Sequence, residues 1–178
     1  IRVLPNQKSH SRGRETDGAL IWGVFTTGTP NSSNIGALQE YATTPTFSQI
    51  GGYNTGPVNL TLSSPDPNTT IYYTTNGDDP NNTSTLYTGV INILTTSVIK
   101  AVSYSSTANI PSSFIDFHTF FLDADTHSIP ILSIAGDQVD NLLNGSLIEP
   151  EGTIEWFDKN GILLDKGTGE YNKHGNDS

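Results

Sequence analysis

Hydrophobic and polar positions alternate along the middle of the chain in short segments that are typical of β-strands. In one segment Val58, Leu60 and Leu62 fall on one face, and the residues between them are polar. In the next segment Ile71 and Tyr73 share a face in the same way. Because the side-chain period of a strand is two, each segment predicts a strand with one buried and one exposed face.

Further strands are predicted on both sides of these segments. They are residues 20–25, a short apolar run, residues 86–93, 97–104 and 129–134, and residues 114–122, which are only weakly amphipathic. A hairpin of residues 153–157 and 162–164 is predicted around a turn at 158–161. Turn signals such as Asn76-Gly77 separate the strands at intervals of about 8–12 residues, a spacing typical of β-sandwiches. The pattern predicts an all-β fold, an immunoglobulin/Fn3-like β-sandwich with extra flanking strands.

One short segment has helical periodicity. In residues 137–144, Val139, Leu142 and Leu143 lie on one side of a predicted helix, and Gly145 follows as a stop. Asp137 is the predicted N-cap, because its carboxylate can accept bonds from the first free amides. The fold prediction therefore includes one short helix.

The composition agrees with a folded β protein. Hydrophobic residues make up 34% and charged residues 15% of the 178 residues, so most of the polarity is uncharged, unlike the charge-rich composition of disordered chains.

The chain has no Met, even at position 1, and its last stretch from residue 167 ends without a closing element. We expect an excised piece of a longer protein. The absence of Cys excludes disulfides and thiolate zinc sites, and it fits a bacterial exported protein.

The distribution of charge excludes several classes of partner. Eight basic and 18 acidic residues give a formal net charge of −10, and Lys100 is the only basic residue between Arg14 and Lys159. Nucleic acids and anionic membrane surfaces both require a clustered basic face, which the sequence lacks. No apolar run reaches the roughly 18–20 residues of a spanning helix, so we expect no membrane insertion.

No recognisable catalytic motif occurs in the chain. A zinc-binding HExxH pattern, a P-loop and a Gly-x-Ser-x-Gly elbow are all absent. His118 lies on a predicted strand and is expected to be a packed imidazole, whereas His127 is expected in a polar, solvated loop. The sequence therefore predicts no catalytic residue and no enzyme within these residues.

Two carboxylate pairs could supply hard oxygen ligands. Asp78 and Asp79 follow a turn glycine, and Asp123 and Asp125 follow the end of a strand. Calcium at Asp78 and Asp79 is one interpretation, although neither spacing matches an EF-hand loop. The alternative is turn capping, in which the carboxylates accept local backbone amides. No other cofactor is expected.

A carbohydrate surface is a second hypothesis. Tyr72 is the outward member of a Tyr pair, and Asn76 and Asp78 lie nearby in the sequence; together they could present a ring and polar groups to a sugar. The alternative for Tyr72 is cross-strand packing. Trp22 and Trp156 have apolar neighbours and are expected in the core.

The middle of the chain resembles the chitobiase/β-hexosaminidase C-terminal domain. The residues that carry the resemblance are Pro45, Phe47-Ser48, Gly51-Gly52-Tyr53, the run Ile71-Tyr-Tyr-Thr-Thr-Asn-Gly-Asp-Asp-Pro80, Tyr87 and Ile99-Lys-Ala-Val102. Asn76-Gly77-Asp78 stands where the family usually has Asp-Gly-Ser/Thr. The resemblance implies an Ig-like or Fn3-like sandwich that accompanies catalytic or surface domains without doing chemistry itself.

The two flanks resemble other bacterial modules. Ser11-Arg-Gly-Arg14, Trp22-Gly23, Thr29-Pro30 and Asn34 resemble the end of a bacterial lamin-tail domain, with Asn31 where a Gly is usual. Residues 128–134, 155–161 and 171–175, including His174, resemble the beginning of a CotH-kinase-type (spore-coat-protein-H-like) region. That resemblance implies that kinase-type residues of a full-length parent would lie beyond Ser178.

These observations predict three parts: residues 1–44 as a lamin-tail end plus linker, 45–112 as the chitobiase-like domain, and 113–178 as the start of a CotH-like region. We expect a non-catalytic structural spacer of a larger secreted or cell-surface bacterial protein. A carbohydrate-binding accessory module is the alternative. The expected partners are neighbouring domains of the same polypeptide and, in the alternative, a polysaccharide.

Overall fold

The chain folds almost entirely as β-structure. A computed structural model describes residues 4–122 and 127–173, with 39% of residues in strands and 3% in helix. The elements are β1 (Ser11–Arg14), β2 (Trp22–Phe25), β3 (Thr46–Phe47), β4 (Gly52–Tyr53), β5 (Val58–Leu60), β6 (Leu62–Ser63), β7 (Thr69–Thr74), β8 (Thr85–Leu86), β9 (Ile91–Ile93), β10 (Ser97–Ser105), β11 (Asp116–Phe121), β12 (Ile131–Ala135), α1 (Val139–Leu143), β13 (Glu151–Phe157) and β14 (Leu163–Glu170). The predicted fold class is confirmed.

Strands β3 to β11 form a two-layered unit, called here the sandwich. One layer is a five-stranded sheet in the order β4-β11-β10-β7-β8, in which β4 pairs with β11 in parallel and every other pairing is antiparallel. In the other layer β3 pairs with β6 and β5 pairs with β9. Because one residue separates β5 from β6, they act as one interrupted strand that joins both pairs into a layer.

The interior of the sandwich is apolar. Val58, Leu60 and Leu62 from one layer meet Ile99 and other side chains from the facing layer, as the period-two pattern predicts. The complete cluster consists of Phe47, Val58, Leu60, Leu62, Ile71, Ile91, Ile93, Ile99, Ala101 and Phe120, with Tyr73, Tyr87 and Leu122 packed against it. Burial of apolar surface between the two layers is therefore what stabilises this unit.

The segment 86–93, predicted as one strand, is two strands in different layers. Its beginning, β8, pairs with β7 in the five-stranded sheet, and its end, β9, pairs with β5 in the opposite layer. Between them Tyr87 donates its amide to Ile71 and packs against the core. Thr88 and Gly89 interrupt the apolar residues at the crossing, and the prediction of one continuous strand passed over this break.

Strand pairing extends beyond the predicted domain boundary at residue 112. Strand β11 lies after this boundary and is hydrogen-bonded to β10 along five residue pairs, from Ser97↔Phe120 to Ala101↔Asp116. Phe120 of β11 also belongs to the apolar core of the sandwich. Residues up to Phe121 are consequently part of the sandwich.

Strands β12, β13 and β14 form a separate antiparallel sheet in that order, called here the C-terminal sheet. It covers the outer face of the five-stranded layer, the face turned away from the sandwich core. Lys100 and Thr119 on that face are buried, and they contact Ala135 and Glu155 of the C-terminal sheet. Strands β3 to β14 are therefore stacked in three layers, two belonging to the sandwich and one to this sheet, and β1 and β2 form a separate two-stranded sheet.

The predicted helix is shorter than expected and lacks its predicted cap. Helix α1 begins after Gln138, and no side chain caps it, because the Asp137 carboxylate instead accepts the amide of Asp79. Val139 is buried as predicted, whereas Leu143 is 66% exposed, which corrects its assignment to the packed side. In the described part of the chain, no helix has both the length and the apolar character needed to cross a membrane.

Candidate functional site

The turn after β7 holds two of the predicted ligand-binding residues. Gly77 has a φ of 82°, a conformation that glycine adopts without strain, and it brings Asn76 and Asp78 together. The Asn76 amide donates to Asp78 Oδ2 at 2.5 Å, and Asn76 Oδ1 accepts the Asp78 amide at 3.3 Å. Thr74 also donates its hydroxyl to the Asp78 carbonyl at 2.5 Å. These contacts close the turn upon itself.

The neighbouring Asp79 is paired with a buried lysine. Lys100 on β10 has no exposed surface, and its Nζ lies 2.7 Å from Asp79 Oδ1 and 3.4 Å from the Ala135 carbonyl oxygen. Asp79 itself is 43% exposed. A buried ammonium requires a partner of opposite charge, so the position of Asp79 is explained by Lys100.

These contacts bear on the predicted calcium site at Asp78 and Asp79. Both carboxylates have side-chain partners within the protein, Asn76 for Asp78 and Lys100 for Asp79, and these contacts are not the local backbone amides that the turn-capping alternative expects. Within residues 4–122 and 127–173, no group of three or more His, Cys, Asp or Glu side chains could hold a metal ion. Calcium at this turn stays a prediction. The second pair, Asp123 and Asp125, lies outside the described residues.

Tyr72 lies apart from the turn that holds Asn76 and Asp78. Its Cα partners are Val102 and Leu86, and its half-buried ring packs edge-on against Tyr104, with the ring centroids 5.7 Å apart. This contact favours the cross-strand packing alternative. A sugar contact by Tyr72 stays a prediction, and the structure does not place Tyr72 in one site with Asn76.

The two tryptophans are exposed, so their predicted burial is wrong. Trp156 is 47% exposed, because Glu155 and Phe157 take the inward face of β13 and the alternation turns Trp156 outward. Trp22 is 62% exposed, whereas Val24 and Phe25 of the same strand are buried. Apolar neighbours in the sequence did not identify the buried face.

A buried polar cluster joins the sandwich to the C-terminal sheet. It consists of His118, Thr119, Ser133 and Glu155, and we call it the interlayer cluster. His118 Nδ1 lies 3.2 Å from Glu155 Oε1, and the Thr119 hydroxyl donates to Glu155 Oε2 at 2.6 Å. The hydroxyls of Thr119 and Ser133 lie 2.6 Å apart. Glu155 is only 2% exposed, so these hydrogen bonds supply the partners that water cannot provide to its carboxylate.

The structure places two of the histidines that were considered in the sequence, one of them in the interlayer cluster. His118 is packed as predicted, with its ring edge-on to Phe47 at a centroid distance of 5.1 Å. His127 is exposed as predicted, although its ring lies 5.8 Å from that of Tyr53. His174 lies outside the described residues.

A further ionic contact joins the beginning of the chain to the C-terminal sheet. Lys8 Nζ contacts Glu151 and lies 2.7 Å from Glu170 Oε1. The hydrogen bond from Lys8 lowers the pKa of Glu170, and hydrogen bonds to Glu151 and then Glu170 raise the pKa of Lys8. Next to Lys8, Gln7 donates its side-chain amide to the carbonyl of Ser112 at 2.9 Å and to that of the following residue at 2.8 Å.

The buried charges of the interface were not predicted from the sequence. Lys100 and Glu155 each lie inside an alternating strand, between apolar neighbours, and that was the available signal. When a sheet is covered by another layer on one face only, a charged residue on its strand is expected on the other face, in contact with water. Here a third layer covers both residues.

Comparison with known proteins agrees with the middle of the chain. A family model described as the chitobiase/beta-hexosaminidase C-terminal domain matches residues 49–114. This family is an Ig-like accessory domain of glycosidases. No curated protein and no solved structure matches the chain. The lamin-tail-like and CotH-like resemblances of the flanks stay predictions.

Proposed function

We propose that the chain is a non-catalytic structural spacer that holds neighbouring domains of a larger secreted or cell-surface bacterial protein at a fixed separation. The match of residues 49–114 to an accessory domain supports the absence of chemistry in the sandwich. The expected partners are the adjoining parts of the same polypeptide.

The observation that carries this proposal is the contact of Lys8 with Glu151 and Glu170. It links the segment before the sandwich directly to the sheet after it. The same beginning of the chain is bonded to the sandwich, because Gln39 donates its amide to the Asn109 carbonyl and Gln7 donates to Ser112. Both flanks are thus fixed to one body, as a rigid spacer requires.

The proposal is testable by spin-label distance measurements. The chain has no Cys, so a Ser33→Cys, Lys159→Cys variant carries labels only on the N-terminal and C-terminal flanks. A rigid spacer gives a distance distribution as narrow as that of a control pair within the sandwich, Thr70→Cys with Asn92→Cys. A distribution several-fold broader than the control would show hinged flanks and contradict the proposal.

Polysaccharide binding is the second candidate function, and the exposed rings favour it. Trp22 and Trp156 present large apolar faces to solvent, as sugar-binding surfaces commonly do. Retention of the protein on insoluble chitin or cellulose tests this candidate directly. Passage through both polymers without retention would end it, whatever the result of the distance measurement.

A further inference from the structure

A groove separates the turn after β7 from the C-terminal sheet. Its floor is formed by Val98 and Thr119 on the outer face of the sandwich, and one wall is β12. The opposite wall includes Asn76, whose backbone is bridged to Val98. The groove encloses about 450 Å³, within the roughly 300–1,000 Å³ that is usual for ligand pockets. Among residues 4–122 and 127–173, no charged side chain lines it.

The interlayer cluster fixes a hydrogen-bond acceptor in this groove. The Thr119 hydroxyl donates its only proton to Glu155, so it accepts the proton of the Ser133 hydroxyl, 2.6 Å away. Ser133 is half-buried and lines the groove, and the lone pairs of its hydroxyl remain for a ligand. The buried Glu155 thus sets the direction in which Ser133 can bond.

The opposite wall supplies a fixed donor. One N–H of the Asn76 side-chain amide is bonded to Asp78 Oδ2, which holds the amide plane in place. The second N–H of the same amide has no partner among the residues that the structure describes, so it is available to a ligand. Asn76 is exposed and lies at the rim, so the groove presents a donor and an acceptor on facing walls.

Apolar surface lies between and beside these polar groups. Val98 contributes to the floor, and Leu132 and Ile134 of β12 are 58% and 39% exposed along the wall. Leu132 is the cross-strand partner of the exposed Trp156, which lies one strand further from the groove on β13. Apolar strips next to fixed hydroxyl and amide groups match a ligand that has both C–H faces and hydroxyls.

We propose that this groove binds a neutral oligosaccharide. A pyranose ring offers hydroxyls for Ser133 and Asn76 and a C–H face for Leu132 and Ile134. The net charge of −10 disfavours anionic polymers, and the side chains that line the groove in the described part of the chain are uncharged, which matches a neutral ligand. This inference rests on the second candidate function, and it moves the binding surface from Tyr72 to the groove.

Nuclear magnetic resonance titration with two uncharged probes, cellohexaose and the hexamer of N-acetylglucosamine, tests the assignment. With at least one probe, we expect the amide shifts of Asn76, Val98 and Ser133 to move together. Ser133→Ala and Asn76→Ala should each weaken that binding by about tenfold, the loss expected for one good hydrogen bond. Tyr72→Ala is the matched control and should leave it unchanged.

The outcomes separate the groove from the candidate function. Binding that survives both groove substitutions, or that is lost with Tyr72→Ala alone, would overturn the groove while keeping polysaccharide binding. Absence of binding by both probes and by both insoluble polymers would overturn the groove and the candidate together. Shifts caused by an uncharged extended peptide but by neither sugar would also overturn the assignment, since the free edge of β12 would then be the ligand-binding feature.

Discussion

The sandwich and the C-terminal sheet are both antiparallel β-structures, yet different interactions hold them in place. Apolar side chains form most of the core between the two layers of the sandwich, with Leu60 and Phe120 completely buried. The C-terminal sheet instead meets the sandwich through buried charges, among them Lys100 and Glu155, and through the pair of Lys166 with Asp116. One aromatic contact, Phe121 on Phe157, accompanies them.

This difference determines what each contact contributes. Apolar burial is non-directional and proportional to area, so the sandwich core contributes most of the stability. A buried ion pair gains little net free energy, because desolvation of the charges offsets their attraction. Removing one partner is costly, however, because the other charge remains buried. The ionic interface is therefore better suited to fixing the position of the C-terminal sheet than to stabilising the fold.

The largest expected effect is loss of an apolar side chain from the sandwich core. Phe120→Ala should lower the free energy of unfolding by about 3–5 kcal/mol, because it removes a fully buried ring and leaves a cavity. Denaturant titration measures this loss. The control is Leu132→Ala on the exposed face of the C-terminal sheet, expected to change stability by less than about 0.5 kcal/mol. Equal losses in the two variants would contradict the comparison.

A smaller and asymmetric effect is expected at the pair of Lys100 and Asp79. Asp79→Ala should lower the free energy of unfolding by about 1–3 kcal/mol, because it strands the unexposed Lys100 ammonium. Lys100→Met should cost less, since water can solvate Asp79, which is 43% exposed.

The double variant tests the origin of this asymmetry. If the cost of Asp79→Ala comes from the stranded charge, the variant with both substitutions should be more stable than Asp79→Ala alone. Denaturant titration of the four proteins gives the complete cycle. If the losses of the two single variants simply add up in the double variant, the Lys100 ammonium is not stabilised by Asp79, which would contradict this explanation.

The smallest effect is expected at the exposed contact of Lys8 with Glu170. Because the folded pKa of Glu170 is lowered, its contribution is present above its ordinary pKa of 4.5 and is lost as pH falls through the folded pKa. The raised pKa of Lys8 means that its contribution is present below 10.5 and is lost as pH rises through the folded pKa. The contact should hold between these limits.

Titration of the Glu170 carboxyl by nuclear magnetic resonance measures this contact. Lys8→Gln should return the midpoint of Glu170 towards its ordinary value, because the hydrogen bond from Lys8 is the largest cause of the lowered pKa. Lys159→Gln removes a lysine elsewhere on the C-terminal sheet and should leave the midpoint unchanged. An unchanged midpoint in Lys8→Gln would show that the beginning of the chain is not fixed to this sheet.

Much of the sandwich could be predicted because its signals are local. Val58, Leu60 and Leu62 alternate with polar residues, and the inward side chains of a two-layered sandwich follow that alternation. The turn at residues 158–161 was predicted for a similar reason, since the Asp158 amide bonds to Ile162 and Gly161 has a φ of 78°. Such features depend on neighbours in the sequence.

The candidate sites could not be predicted in the same way. Tyr72 and Asn76 are only four residues apart in the sequence. Tyr72 nevertheless contacts Tyr104, whereas Asn76 lines the groove on the wall opposite Ser133. The groove depends on β12, which is more than fifty residues away from Asn76 along the chain. A local sequence pattern could not show that Asn76 and β12 form two walls of one groove.

The sequence by itself determined the all-β class, the inward faces of the sandwich strands and the excess of negative charge. These properties follow from side-chain period, turn chemistry and composition, which act over a few residues or over the whole chain at once. Only the tertiary structure decided that a third layer covers Lys100 and that Trp156 faces solvent. A strand pattern shows that two faces differ, and the packing of distant layers determines which of them is buried.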